Sequence, residues 1–220
     1  MPKVRVFASR YKVSSFAEVI VIVYDHSGGA MDERSGSRTE ALVSADVPDW
    51  SREKPRGFWD PSRKLLLTIR SYQHWSSMTG LFPALLGKWA VFRHRFWSVV
   101  TGADIPLTCD IGGGLLIPHP NGIVIHPQAK IGVNCLIFQQ VTVGSRGGPG
   151  LPVIGGHVDV GAGAKILGDL HIGNHARIGA NTVLFTDVPT GAVAVGIPAK
   201  IFGELESDER RDVNDNTGRR

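Results

Sequence analysis

The hydrophobic pattern of the chain has one dominant period. From residue 105 a branched aliphatic side chain returns at every sixth position: Ile105, Ile111 and Ile117, then Ile125, Ile131, Ile137 and Val143, then Ile154, Val160, Ile166, Ile172, Ile178 and Leu184. Gly follows the aliphatic directly at Ile111, Ile131, Val143, Ile154, Val160, Ile172 and Ile178. A six-residue period fits neither the turn of an amphipathic helix nor the alternation of a half-buried strand. It fits a solenoid of short strands turning at regular corners, three hexads to a circuit, each aliphatic pointing into a narrow prism and stacking on its equivalents above and below. Gly and Ala at the corners tolerate the backbone angles and close approach that such turns demand. The pattern predicts a mainly β chain folded as a parallel β-helix.

The phase slips twice. Ile117 to Ile125 takes eight positions instead of six, and Val143 to Ile154 takes eleven. Stacked aliphatics cannot change phase without losing their core, so both surpluses must leave the coil as loops, and loops on a rigid scaffold are where function collects. The first holds Pro118-His119-Pro120-Asn121-Gly122, and the second Ser145-Arg146-Gly147-Gly148-Pro149-Gly150-Leu151.

Ahead of the coil the pattern is helical. Asp60-Pro61 reads as an N-cap followed by proline at the first helical position, and predicts a helix over 61–75 with Leu65, Leu66, Ile69 and Tyr72 on its apolar side. A break at Thr79-Gly80 precedes a second helix over 83–100 that buries Leu86, Trp89, Ala90, Phe96 and Trp97, while Arg93, His94 and Arg95 form a solvated basic face. Residues 19–24 have strand composition, and the Gly, Ser and charge-rich stretch after them favours a mobile segment. The expected organisation is a poorly ordered segment 1–47, a helical unit 48–101, the β-helix 102–202 and a disordered charged tail 203–220.

Composition narrows the function classes. A length of 220 residues and 27 glycines suit one solenoid domain with an appendage, and a formal charge of +4 suits an anionic small ligand. No clustered Arg/Lys stripe interleaved with aromatics is read from the sequence, which argues against nucleic acid. Cys109 and Cys135 form neither a close metal pair nor a disulfide framework, and are expected to fill the coil walls. The 19–24 run is too short for a signal sequence and no stretch approaches a membrane span, so a cytoplasmic location is expected.

Folding the hexads three to a circuit places Ile117, Ile137, Val160 and Ile178 on one side of the prism. Two residues further on, the same column holds His119, Gln139, Ala162 and Ala180, a small-residue groove for a long thin ligand with a histidine at its far end. His157 and His175 lie eighteen positions apart, one circuit, and should stack on an outer corner. With His171 they are the loose nominees for a metal site, which needs about three converging ligands. His126 reads as a corner residue.

Residues 104–203 resemble the hexapeptide acyltransferases, and within them the serine acetyltransferase group. The pieces are Asp104-Ile105, Pro118-His119-Pro120-Asn121-Gly122, Val141-Thr142-Val143-Gly144, Gly161-Ala162-Gly163-Ala164-Lys165-Ile166-Leu167-Gly168 and Val195-Gly196-Ile197-Pro198-Ala199-Lys200. The resemblance implies a left-handed β-helix, a homotrimer and acetyl-CoA as co-substrate bound between neighbouring subunits, with no metal expected. It implies His119 as general base and Asp104 as the carboxylate that orients it. Gly144, Ser145, Ala162 and Ala180 match positions lining the coenzyme groove, and Lys200 is placed to meet its phosphates. Asn121, Gln139 and Arg146 are the candidate acceptor-binding residues. Two departures matter: the group's acidic residue before the histidine is Pro118 here, and an Arg-His pair in a longer second loop is replaced by Gly150-Leu151. The missing groups look like those that hold the charged ends of serine, so a sugar or glycan-precursor hydroxyl is expected as acceptor. A true serine O-acetyltransferase is the alternative. A zinc-dependent lyase on the same solenoid, carbonic-anhydrase-like, or a non-catalytic solenoid are the readings from other classes.

Overall fold

The computed structural model describes residues 43–203 in full and the backbone of residues 5–14 and 17–25. The latter form a separate unit, an antiparallel hairpin of Arg5–Ser14 and Ala17–Asp25 with Arg5 opposite Asp25. The apolar run 19–24 lies in its second strand, and the first was not expected. The stretch expected to be mobile after residue 25 and the charged tail beyond residue 203 lie outside the described residues.

The hexads build a parallel β-helix with three faces. Strands Val124–Ile125, Thr142–Gly144, Lys165–Leu167 and Val183–Leu184 stack as the first face, which Asp104 extends by bridging to Val124. Asp110–Ile111, Lys130–Ile131, Val153–Ile154 and His171–Ile172 form the second. Leu136–Ile137, Asp159–Val160, Arg177–Ile178 and Val193–Val195 form the third, closed by the antiparallel strand Lys200–Phe202. The register sets aliphatic on aliphatic: Ile111, Ile131, Ile154 and Ile172 on one face, Ile125, Val143, Ile166 and Leu184 on another. Almost every one of them is buried, so the period seen in the sequence is the axis of the core.

Successive turns approach closely at the corners. A Cβ on Gly112 would lie 2.6 Å from the backbone of Gly132 and Val133, which is why glycine follows the aliphatic there. The corner between the second and third faces needs a left-handed residue in each turn, supplied by Asn134, His157 and His175 at φ of 59°, 53° and 61°. Cys109 and Cys135 are fully buried in the walls, and burial pushes their thiols up to about 12 and about 11, so both pack as small apolar groups.

Helices α1 (Pro61–Ser76) and α2 (Leu81–Thr101) precede the coil. Leu65, Leu66 and Ile69 of α1 are buried against the first coil, as the helical spacing required. A second anchor was not legible: the Glu53 carboxylate pairs with both forks of Arg70 at 2.9 and 3.0 Å and accepts from Gly114 N and Leu115 N, while Arg70 donates to the Ile111 and Gly112 carbonyls. Asn134 ties the preceding segment to the coil corner, accepting from Asp49 N and donating to the Ser44 and Val47 carbonyls.

Two expectations for α2 are corrected. Trp89 and Phe96 are 56% and 52% exposed, because the small residues Gly87 and Ala90 occupy the side that packs inward. His94 is no part of a solvated face: it sits half-buried with Nδ1 3.2 Å from Thr68 Oγ1, and burial lowers its pKa.

Candidate active site

The corner from the third face into the first carries the expected column, with one change of register. Gly163 N donates to Gln139 O, Asn181 N to Ala162 O and Gln140 N to Asn121 O, so Asn121, Gln139 and Ala162 are the stacked equivalents. His119 lies outside this ladder, in the bend formed by the two surplus residues of the 118–120 stretch. Counting forward from Ile117 puts His119 in the column; the hydrogen bonds put Asn121 there. The reason is Pro118 and Pro120, which have no N–H for the ladder and force their stretch outward.

His119 is exposed on this bulge, and its loop runs straight into the first face, where Asp104 N donates to Ile123 O at 2.8 Å and Asp104 O accepts from Ile125 N at 3.0 Å. The backbone therefore brings the loop and Asp104 side by side at the head of the coil. Among the described residues no hydrogen bond joins the two side chains. Asn121 turns its amide towards the end of α2, where a Cβ on Gly102 would lie 2.7 Å from Asn121 Nδ2.

Gln139 has an unusual environment. Its Oε1 is buried without a hydrogen-bond partner, a condition native structures mostly avoid and one shared only by Thr182 Oγ1 among the described side chains. Ala162 and Ala180 continue the column with methyl groups alone. Lys165, which the sequence reading left unassigned, lies on the first face with Nζ bonded to Gln140 O at 2.7 Å and Thr142 Oγ1 at 3.1 Å.

Gly144 and Ser145 stand at the opposite edge of the first face, where its strands leave. A Cβ on Gly144 would meet nothing within 4 Å, so open space lies over this backbone. Gly144 ends its strand, whereas Ala162 lies in the turn closed by Ala164 N donating to Gly161 O before the strand Lys165–Leu167 begins, so the two mark opposite edges of the first face. Arg146 is engaged rather than free: its guanidinium stacks 3.9 Å from the Phe185 ring centroid. Lys200 is exposed in the closing strand opposite Val195.

His157 and His175 do stack, with Nδ1 atoms 2.8 Å apart, so one ring donates and the other accepts. His171 lies instead on the second face, its N–H bonded to Asp187, and no group of three potential ligands assembles among the described residues.

No family model matches the chain. A serine acetyltransferase of Helicobacter pylori strain J99 is 45% identical over 124 residues, covering 50% of this chain and 72% of the relative. The chain belongs to the serine acetyltransferase family. A Mycobacterium tuberculosis serine acetyltransferase is 40% identical over 115 residues, 51% of this chain and 50% of that protein. A serine acetyltransferase solved in complex with CoA superposes with a TM-score of 0.55 at 32% identity, covering 66% of this chain and 58% of the other. The coil of this serine acetyltransferase family member is accordingly a left-handed parallel β-helix. The chain spans about half the length of the curated relatives it matches first.

Proposed function

We propose that this chain transfers acetyl from acetyl-CoA to an acceptor hydroxyl, with His119 as general base and Asp104 as the carboxylate that positions it. The observation that carries the reading is the orphaned Gln139 Oε1 between the His119 loop and the alanines of the column. A buried acceptor without a donor is satisfied by an N–H or O–H brought by a ligand, and both the pantetheine amides and the acceptor hydroxyl supply one. The open space over Gly144 and the small side chains at Ala162 and Ala180 fit the coenzyme's thin arm.

In the reaction the acceptor hydroxyl gives its proton to His119 as its oxygen attacks the thioester carbonyl. The tetrahedral adduct then collapses, the C–S bond breaks and the imidazolium returns the proton to the leaving thiolate. Gly144 and Ser145 lie on one edge of the first face and the alanine column on the other, so a single groove forms when the edge of one copy meets the other edge of its neighbour. A homotrimer closes such a ring of heterologous contacts.

The acceptor we infer is a hydroxyl without the paired charges of an amino acid, such as a sugar. Pro118, Gly150 and Leu151 offer no charge, and Arg146 is committed to Phe185. L-serine is the second reading, favoured by the names of the relatives. Release of free CoA is measured with L-serine, sugars and nucleotide sugars, for the wild type and His119→Ala. A sugar should drive turnover that the variant loses by about 10²–10⁴-fold. Turnover with serine alone would overturn the acceptor assignment, and undiminished turnover in the variant would remove His119 as base.

A further inference from the structure

The outer side of α2 carries an apolar seam that nothing in the described chain covers. Phe82, Leu85, Trp89, Phe92, Phe96 and Val99 alternate at spacings of three and four, and all are more than half exposed. A stripe this regular lies along one side of the helix from Phe82 to Val99, about 26 Å at ~1.5 Å per residue. Water-exposed aromatic and aliphatic groups in such a row are the mark of a binding face.

Charge decides what the face accepts. The positions flanking the seam hold Lys88, Arg93 and Arg95, and no acidic residue occurs anywhere between Asp60 and Asp104. Two copies joined along this seam would set those cations against one another, as like charges beside a helix seam oppose pairing. An anionic partner complements those cations. The face is also broader than a seam for one helix, since Leu81, 90% exposed, widens it at one end. The basic stems can lie along the apolar stripe with their heads at its border. None of the described helices is long and apolar enough to cross a membrane.

We propose that α2 docks flat on an anionic phospholipid surface, its aromatic seam entering the headgroup boundary and Lys88, Arg93 and Arg95 pairing with lipid phosphates. This docking is independent of the acetyl-transfer assignment, because the face lies on the helical unit and uses none of the site residues.

The test is sedimentation of the full chain with phosphatidylcholine vesicles, and with vesicles containing about 30% phosphatidylglycerol, at low and high salt. The wild type should sediment with the anionic vesicles and be released by salt. Phe92→Ser with Phe96→Ser should abolish sedimentation, and Lys88→Glu with Arg95→Glu should weaken it at least about fivefold for each residue changed. All four side chains are exposed, so thermal melting of both variants should match the wild type. A wild type that stays in the supernatant, or variants that sediment unchanged, overturns the proposal. So does a larger assembly without vesicle binding that the phenylalanine variant dissociates, since the occupant is then a second copy.

Discussion

Gly112 and Gly144 look alike in the sequence, each following a repeat aliphatic, yet the fold gives them opposite duties. The Cβ of an alanine at 112 would press on the next turn at 2.6 Å, while a side chain at 144 would enter open space. Gly112→Ala should lower stability by about 1–3 kcal/mol in denaturant melts. Gly144→Val should melt as the wild type does and raise the KM for acetyl-CoA about tenfold, the value of roughly 1.4 kcal/mol of lost binding. An unchanged KM would take Gly144 out of the groove. Asn134 makes the same point about polar residues: its three hydrogen bonds to residues 44–49 and its positive φ are invisible in a corner that reads only as Val133-Asn134-Cys135. Asn134→Ala should cost about 2–4 kcal/mol from the lost bonds and the strained backbone.

At the scale of elements, α1 and α2 were legible from Asp60-Pro61, the Thr79-Gly80 break and the apolar spacing. What held them to the coil was not. The Glu53 and Arg70 pair is mostly buried, and its partners come from segments far apart in the chain. Arg70→Met leaves the Glu53 charge buried and should destabilise by about 3–5 kcal/mol, against a smaller loss when both partners are replaced by apolar residues. His94, wedged between the helices, adds a dependence on pH. Burial lowers its pKa below 6.5, so the folded state binds a proton less readily than the unfolded chain. The stability tied to this group is present above that value and is lost as pH falls below it. His157 shifts the same way: burial lowers it most, Asp159 opposes the shift, and His175, Arg52 and Arg177 add to it. The melting temperature should fall between about pH 7 and pH 5, and fall less in His94→Gln. An equal fall in the variant would exclude His94 as a source.

For the whole molecule, the proposed reading shares one groove between neighbouring copies and so makes activity a property of the assembly. Co-expressed His119→Ala and Gly144→Val chains should form mixed assemblies in which some interfaces carry an intact groove. At limiting acetyl-CoA, their activity should exceed that of either variant alone. Activity no greater than the sum of the two would place the complete site within one copy.

The period of six, its two slips and the helix start signals determined the solenoid and where its loops leave it. Each depends on a local rule repeated along the chain: one aliphatic per strand, one small residue per corner. The site was legible only in part. His119, Ala162 and Ala180 could be gathered by counting, but counting misplaced His119 in the ladder, since only the hydrogen bonds show which residues of a slipped turn are the extra ones. The orphaned Gln139 oxygen, the capture of Arg146 by Phe185 and the exposure of Trp89 and Phe96 were decided by tertiary packing. Periodicity says that a side chain faces a side of its element, and only the folded neighbours determine whether that side is covered.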